Sequence, residues 1–211
     1  MGWDGIVRFW EITGGKMART PDGHSITITA LAIALENFLL ATASNDRKAR
    51  IWTLIDGQCI TVLKDLRSEV SALAFSPDRS LLAYGGADAM IYFCFLPESI
   101  PEPTIPSLPG KITSHAFASE GRLLVAGRYT GSILVFSCVG RNLLKSIPVQ
   151  NDEVTGIIVL HWGELILTSS LDGLVHRWNL FWTRHLSGTV LEDIQLVAGY
   201  ERTSRANERA P

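Results

Sequence analysis

His24, Thr42 and Asp46 are the residues of this chain whose types suit acid–base chemistry. An imidazole set between a carboxylate and a hydroxyl is the combination that activates a nucleophile in many hydrolases. The combination also has a structural explanation, because the sequence around it recurs along the chain and a repeat brings such side chains together for stability alone. We therefore interpret His24 as a structural residue and not as a general base.

The other motifs that carry chemistry are absent or incomplete. The remaining histidines do not have the spacing of a metal motif, such as two histidines that flank a glutamate; they are His115, His161, His176 and His185. The segment GRYTG at 127–131 lacks the lysine of a nucleotide-binding loop, and the chain has no Gly-x-Ser-x-Gly motif. The sequence predicts no catalytic residue, no metal site and no cofactor, and hence a protein that is not an enzyme.

The composition predicts a soluble globular protein without nucleic-acid or membrane partners. The 211 residues are 46% hydrophobic and 19% charged, and the net charge of −2 argues against a basic surface for nucleic acid or anionic lipid. No apolar run approaches the roughly 20 residues of a membrane span, and the N-terminus lacks the pattern of a signal peptide. The odd number of cysteines, at Cys59, Cys94 and Cys138, is typical of reduced thiols, so we expect a cytoplasmic protein.

A short polar turn followed by an apolar strand recurs through the chain with a period of 42 residues. We call the central turn position the anchor. The anchors are Asp4, Asp46, Asp88, Thr130 and Asp172, and six residues after each stands Trp10, Trp52, Cys94, Phe136 or Trp178. A period of about 20 to 50 residues is typical of repeat proteins.

Each repeat contains four predicted strands. In one repeat, residues 70–75 form a first strand, the segment 76–78 has turn chemistry, and residues 81–84 begin a second strand. The anchor then opens a third strand, in which apolar residues alternate, as at Ile91 and Phe93. Helical periodicity is absent from this region.

The fourth strand of each repeat is the least regular. It reads CITVL at 59–63, whereas the corresponding part of the next repeat contains Pro101, Pro103 and Pro106. Because proline is tolerated at the edge of a sheet, we expect the fourth strand to be the outermost. The proline-rich run 97–109 has a second interpretation as an interdomain linker, although the repeat register passes through it unchanged.

These repeats resemble those of the WD-repeat β-propeller family, in which four-stranded blades surround a central channel. The resemblance rests on WDGIVRFW, the Gly23-His24 pair, SNDRKARIW, FSPDRSLLA and LDGLVHRW, and it covers residues 1–182. It implies an all-β propeller of antiparallel blades, with four whole blades and a partial first blade in a repeat region at 1–186.

The resemblance also implies a buried tetrad of hydrogen-bonded side chains within a blade. All four members are present in one repeat, as His24, Thr42, Asp46 and Trp52. The fifth repeat has Gln150 in place of the histidine. The third and fourth repeats lack most of the tetrad, so we expect apolar packing to hold their blades.

The resemblance further implies that proteins or peptides bind on the rim of the channel, through residues at the start of the first strand and just before the anchor. At the strand starts these residues are Thr27, Thr29, Glu69, Ser71, Lys111, Thr113, Glu153 and Thr155. Before the anchors they are Trp3, Asn45, Ala87, Tyr129 and Leu171. Exposed aromatic residues are common hot spots, so the candidate binding residues are Trp3, Thr27, Glu69, Lys111, Tyr129, Glu153 and Leu171. Trp3 has an alternative interpretation as an ordinary residue of the repeat.

The repeat pattern ends after Trp182. Thr189 and Glu192 have the spacing of a capping box, and the apolar residues near them share one helical face, so we expect a short helix over 187–200. The polar tail 201–211 is predicted to be disordered.

Three functional hypotheses follow from these patterns. The leading one is a non-catalytic, cytoplasmic platform that binds a protein or a peptide on the rim. The second is the ligand-sensing C-terminal repeat region of a larger signalling NTPase. The repeat array and the predicted helix resemble such a region, and under this hypothesis the catalytic domain of the NTPase lies outside this chain. The third is a propeller hydrolase or oxidoreductase with its site over the channel.

The repeat register also predicts an incomplete ring. The first repeat starts at the turn before its third strand, so it has only two strands, near Gly5–Trp10 and Lys16–Arg19. We expect preceding blades or a second polypeptide to complete the ring. Because exposed apolar strands pair with other chains, we expect the chain alone to self-associate, which size-exclusion chromatography with light scattering measures.

Overall fold

The structure, a computed structural model, describes residues 3–11, 13–19, 23–34, 38–64, 66–78, 80–96, 100–106, 109–160, 165–182 and 194–199. Within these ranges the chain forms strands in groups that follow the repeats. The first repeat has β1 (Phe9–Trp10) and β2 (Met17–Arg19), and the second has β3 (Ile28–Ala34), β4 (Leu39–Ser44), β5 (Lys48–Thr53) and β6 (Cys59–Leu63). The third has β7 (Val70–Phe75), β8 (Leu81–Gly86), β9 (Met90–Phe95) and β10 (Ile100–Pro106). The fourth has β11 (Ile112–Ala118), β12 (Leu123–Arg128), β13 (Ser132–Ser137) and β14 (Asn142–Pro148), and the fifth has β15 (Val154–Leu160), β16 (Leu165–Ser170), β17 (Val175–Trp182) and β18 (Ile194–Gly199).

Each repeat folds into one antiparallel sheet whose strands pair in chain order. We number these sheets as blades 1 to 5, where blade 1 is the pair β1–β2 and blades 2 to 5 have four strands each. The first strands of the whole blades lie side by side, β3 against β7, β7 against β11, and β11 against β15. The predicted fold class, an all-β propeller with four whole blades and one partial blade, is confirmed.

The hydrophobic core lies between neighbouring blades. Because alternate residues of a strand point to opposite faces, each whole blade contributes one apolar face to each neighbour. Blades 3 and 4 enclose Phe93, Phe117 and Leu134, for example, and Val135 and Ile166 lie between blades 4 and 5. The packing of these faces, and not the pairing within one sheet, joins the blades to one another.

The anchor turn has the same backbone geometry in all five repeats. The residue after each anchor has a positive φ: 72° at Gly5, 58° at Arg47, 58° at Ala89, 77° at Gly131 and 79° at Gly173. In the four repeats with an aspartate, its carboxylate accepts a hydrogen bond from the N–H two residues later, at 2.9 to 3.2 Å. An aspartate therefore fixes the turn that opens the third strand, which explains why it recurs with the period of the blades.

The proline-rich segment is a strand and not a linker where the structure describes it. β10 lies at the outer edge of blade 3, paired with β9. Its ladder is interrupted between Glu102 and Ile105. An edge strand has one side free of ladder hydrogen bonds, so it accommodates residues without an N–H, and the prediction that the fourth strand is the outermost is confirmed.

The predicted C-terminal helix over 187–200 is wrong in the part that the structure describes. Ile194–Gly199 form β18, which pairs with β17 from Ile194 opposite Trp182 to Gly199 opposite Arg177. The physical reason is that β17 offers an edge of unpaired backbone groups, whose pairing outweighs a weak helical pattern in a short apolar segment. Blade 5 thus extends beyond residue 186. Residues 187–193 and the predicted disordered tail 201–211 lie outside the described residues.

Candidate functional site

His24, Thr42, Asp46 and Trp52 form one hydrogen-bonded chain inside blade 2. The Nδ1 atom of His24 lies 3.1 Å and 3.0 Å from the two carboxylate oxygens of Asp46, and its Nε2 atom lies 2.9 Å from the Thr42 hydroxyl oxygen. The indole N–H of Trp52 donates to the same hydroxyl oxygen at 2.8 Å. The structure thus brings together the four residues that the repeat pattern selected.

The protonation states of His24 and Asp46 suit a structural network. Burial lowers the pKa of His24, an effect larger than the opposing attraction of Asp46. Burial raises the pKa of Asp46, but hydrogen bonds from His24, Ser25 and Lys48 together outweigh it, and the pKa of this carboxyl is lowered. A neutral imidazole therefore donates from Nδ1 to an ionised carboxylate and accepts the Thr42 proton at Nε2. Thr42 is completely buried, so its hydroxyl is out of reach of a substrate.

Blade 5 keeps half of this arrangement. The indole N–H of Trp178 donates to the Thr168 hydroxyl at 3.0 Å. The amide group of Gln150, which replaces the histidine, donates to the carbonyls of Thr168 and Leu174 at 3.4 Å and 3.2 Å. The carboxylate of Asp172 accepts a hydrogen bond from the N–H of Leu174 at 2.9 Å. Gln150 therefore ties two backbone segments together and does not hold the anchor carboxylate.

Blade 3 has a tyrosine pair that the repeat pattern did not predict. The rings of Tyr84 and Tyr92 stack with centroids 5.0 Å apart, and the Tyr92 hydroxyl donates to Asp88 at 2.7 Å. Burial is the largest cause that raises the pKa of each hydroxyl to about 12. The tyrosines stand at the positions of Thr42 and Arg50 in blade 2, so the repeat register contained a signal for this replacement.

The predicted rim residues lie at one corner of each blade. In every whole blade, the N–H of the residue before the anchor donates to the carbonyl of the residue that precedes the first strand. These pairs are Asn45 with Thr27, Ala87 with Glu69, Tyr129 with Lys111, and Leu171 with Glu153, at 3.0 to 3.2 Å. The Thr27 hydroxyl also donates to the carbonyl of Trp3, in the anchor turn of the first repeat, at 3.4 Å.

Three of these residues present large side chains to solvent. Trp3 is 89% exposed, Tyr129 is 60% exposed and Leu171 is 62% exposed. Glu69 and Lys111 are also exposed, whereas Thr27 and Glu153 are half-buried. The predicted rim residues therefore combine exposed aromatic and aliphatic side chains with exposed charged ones.

Three hydroxyl residues of the predicted rim have a structural role that the sequence did not indicate. Thr29 donates to the carbonyl of Val70 at 2.5 Å, Thr113 donates to that of Val154 at 2.5 Å, and Ser71 donates to that of Ile112. Each bond joins the first strand of one blade to the first strand of the next. The protons of these hydroxyls are therefore used to hold neighbouring blades together and are not available to a ligand.

Thr155, the fourth residue of this type, lies in blade 5. Its hydroxyl lies 2.9 Å from the hydroxyl of Ser169, within the same blade.

Metal chemistry has no residues to carry it in the part of the chain that the structure describes. There, no group of three or more His, Cys, Asp or Glu could hold a metal ion. Cys59, Cys94 and Cys138 form no disulfide bond with one another. The described part also contains no helix of the length and apolar character needed to span a bilayer.

Comparisons with known proteins find similarity in sequence and in fold. A family model described as "WD domain, G-beta repeat" matches residues 15–53 and 57–93. The chain is 24% identical over 180 residues to telomerase protein component 1 of Rattus norvegicus, an alignment that covers 85% of this chain. It is 28% identical over 141 residues, 63% of its length, to the small ribosomal subunit protein RACK1 of Neurospora crassa. The crystal structure of the Myceliophteria thermophila Cps50 (Swd1) β-propeller domain matches with a TM-score of 0.79 and 22% identity over 94% of this chain.

The chain is similar to only a part of each of these proteins. It covers 7% of the length of the telomerase component, 44% of RACK1 and 65% of the solved propeller domain. The likeness to the solved domain is a likeness of fold. The first segment that the family model matches, 15–53, contains all four residues of the blade 2 tetrad.

Proposed function

We propose that this chain, a WD-repeat protein, is a non-catalytic platform that binds a protein or a peptide on its rim. The observation that carries the proposal is the exposure of Trp3, Tyr129 and Leu171, at 89%, 60% and 62%, at the same position of three different repeats. Side chains at that exposure are covered only in part by the described residues, and burial of their apolar surface by a partner lowers the free energy of the complex. Glu69 and Lys111 add charges of opposite sign beside them, which favours selection among partners.

The proposal that the chain is non-catalytic is supported by the burial and hydrogen bonding of the residues best suited to acid–base chemistry. The imidazole of His24 and the hydroxyl of Thr42 are buried and occupied by each other, by Asp46 and by Trp52. A general base has to reach the proton that it removes, and this one reaches only the protein. A propeller hydrolase or oxidoreductase therefore has no candidate residues in this network.

The relatives support a role in assemblies. One is named as a protein component of telomerase and another as a protein of the small ribosomal subunit. For this chain, we infer a protein or peptide partner of the same general kind, in the cytoplasm, where free thiols such as Cys59 persist. The second hypothesis, a sensor region of a signalling NTPase, loses its support from the C-terminal helix, because Ile194–Gly199 form a strand.

The rim proposal predicts which substitutions weaken binding. Replacing Tyr129 and Glu69 with alanine is expected to weaken capture of the partner about tenfold or more, because truncating a central aromatic residue of an interface costs this much. Quantitative pull-down with the purified chain as bait measures the effect. The matched control is Val139→Ala, which truncates another exposed apolar residue of blade 4, in the turn between β13 and β14 at the opposite end of that blade. Partners retained in full by the double variant, at unchanged thermal stability, would contradict the proposal.

A further inference from the structure

Blade 4 departs from the other blades in two charges at its rim. Its anchor is Thr130, whereas the other four repeats have an aspartate whose carboxylate caps the turn. Two residues earlier it has Arg128, where the other whole blades have Ser44, Gly86 and Ser170. This corner of blade 4 has therefore lost a negative charge and gained a positive one.

The guanidinium of Arg128 is buried, and no carboxylate among the described residues pairs with it. The residue is 8% exposed, and one of its terminal nitrogens donates to the hydroxyl of Ser132 at 3.1 Å while the other donates to the carbonyl of Pro109. Its Nε atom is buried and has no hydrogen-bond partner among the described residues. No carboxylate of the described residues forms an ion pair with Arg128, whereas Arg8 pairs with Asp4 and His24 with Asp46. A buried charge with neutral partners alone favours an anion close by.

A chain of hydroxyl groups connects this buried charge to the surface. The hydroxyl oxygens of Thr130 and Ser132 lie 3.1 Å apart. A guanidinium only donates, so the Ser132 oxygen accepts from Arg128, and the Ser132 proton is free to be donated to Thr130. In the arrangement in which Ser132 donates to Thr130, the proton of the exposed Thr130 hydroxyl can point outward. An outward donor backed by a cation fits a ligand oxygen that carries negative charge.

The neighbouring rim residues complete a corner suited to such a ligand. Tyr129, 60% exposed, precedes Thr130 directly, and its N–H donates to the carbonyl of Lys111 at 3.1 Å. The Lys111 side chain is exposed and adds a second cation. Gly110 makes room for the arginine, because a Cβ atom there would lie 3.0 Å from a guanidinium nitrogen.

We propose that this corner of blade 4 binds an oxyanion, a carboxylate or a phosphate carried by the peptide partner, at the outward hydroxyl of Thr130 and over the buried charge of Arg128. The ligand oxygen takes the place of the carboxylate that the anchor aspartate supplies in the other repeats. The identity of the carrier as a peptide rests on the proposed function, whereas binding of the oxyanion itself does not.

The test uses the whole chain labelled with nitrogen-15 and two-dimensional NMR. Inorganic phosphate is expected to shift the amide signals of Tyr129, Thr130, Gly131 and Ser132 saturably, and chloride at the same ionic strength is not. Three versions of one short peptide, with phosphoserine, glutamate or serine at its centre, then distinguish the source of the oxyanion. A response to phosphoserine alone assigns a phosphate, a response to both charged peptides assigns an oxyanion of either type, and equal responses to all three peptides overturn the proposal.

Two variants locate the anion at this corner. Thr130→Asp installs the carboxylate that the other repeats have, and it is expected to weaken phosphate binding at least about tenfold, since the protein then supplies its own anion. Arg128→Ser introduces the residue found at positions 44 and 170 and is expected to abolish the saturable shifts. Thr155→Val, on the rim of blade 5, is the control and should bind phosphate as the parent chain does. Undiminished phosphate binding by Thr130→Asp overturns the proposal even if Arg128→Ser fails to fold.

The outcomes for this corner and for the rim proposal are separable. Absence of phosphate binding, together with loss of the partner from the Tyr129 and Glu69 double variant, rejects the oxyanion site and leaves the platform. Phosphate binding at Thr130, together with full partner capture by the double variant, rejects the platform as proposed and leaves the oxyanion site.

Discussion

Asp46→Ala is expected to lower the free energy of unfolding by about 2 to 3 kcal/mol, the upper range for loss of a buried, charged hydrogen-bond acceptor. The carboxylate accepts hydrogen bonds from His24, from the N–H of Ser25 at 3.3 Å and from the N–H of Lys48 at 3.0 Å. Its side chain is 4% exposed and the His24 side chain is 0% exposed. Alanine leaves the imidazole N–H without an acceptor in a place that water does not reach. Chemical denaturation followed by tryptophan fluorescence measures the change.

Asp172→Ala is the matched control, because it removes the same residue type from the same turn of blade 5. Its carboxylate is exposed and accepts the N–H of Leu174, and Gln150 stands where blade 2 has a histidine. We expect a loss below about 1 kcal/mol, the typical value of one exposed capping hydrogen bond. Equal losses in the two variants would show that the anchor aspartate acts through its turn alone and that the tetrad of blade 2 adds nothing.

The blade architecture is predictable from the sequence because its repeating unit depends on local chemistry. An aspartate that caps its own turn works in any repeat, and so the period of the anchors gives the period of the sheets. Even Thr130 and the residue after it adopt the shared turn, with a φ of 77° at Gly131. The prolines of β10 were also interpretable from the sequence, because an edge strand has one side free of ladder hydrogen bonds and tolerates residues without an N–H.

The prediction failed where the answer depended on a partner distant in sequence. Ile194–Gly199 contain too few residues to separate a helical pattern from a strand pattern, and the free edge of β17 decides between them. The hydroxyls of Thr29 and Thr113 look like surface groups in the sequence. Their acceptors stand 41 residues later, on the next blade, and nothing in the local pattern points to them.

The candidate rim residues also include some features that the local sequence predicts and one that it does not. That Tyr129 and Leu171 stand at one corner follows from the register alone, because both precede an anchor. The burial of Arg128 does not follow from it. A basic residue beside a turn is usually solvated, and the serine and glycine at the equivalent positions give no warning that its guanidinium lies beneath the rim.

His115 is the second residue for which we expect a large effect. It lies on β11 at the position that other blades fill with Leu31, Leu73 and Ile157. Its ring is buried against the backbone of Gly85 in blade 3, and neither ring nitrogen has a hydrogen-bond partner among the described residues. Burial without a partner lowers its pKa from 6.5 to about 3, so the folded protein holds a neutral imidazole in an apolar interface.

The lowered pKa makes the fold sensitive to acid in a definite range. Above pH 6.5 the imidazole is neutral in the folded and unfolded chains, and its titration does not affect stability. As the pH falls from 6.5 towards 3, the unfolded chain binds a proton that the folded chain excludes, so the free energy of unfolding falls. At about pH 4.5 the loss from this residue is about 2 to 3 kcal/mol, since each unit between the pH and the unfolded pKa is worth about 1.4 kcal/mol.

His115→Leu introduces the residue type of blades 2 and 3 and should remove this loss. At neutral pH we expect the variant to be more stable than the parent by about 1 to 2 kcal/mol, because it removes an unpaired polar group from the core. Near pH 4.5 the advantage should grow to about 4 kcal/mol, as the parent alone carries the proton penalty.

His115→Asn separates the two causes: it keeps a buried polar group, so it gains nothing at neutral pH, but it has no proton to take up. Denaturation curves at both pH values measure these differences in the free energy of unfolding. Because His24 is present in all three proteins, its contribution cancels in the comparison. If the leucine and asparagine variants lose as much stability in acid as the parent, His115 is not the acid-sensitive group of this interface, and the space around its ring admits a partner that satisfies it.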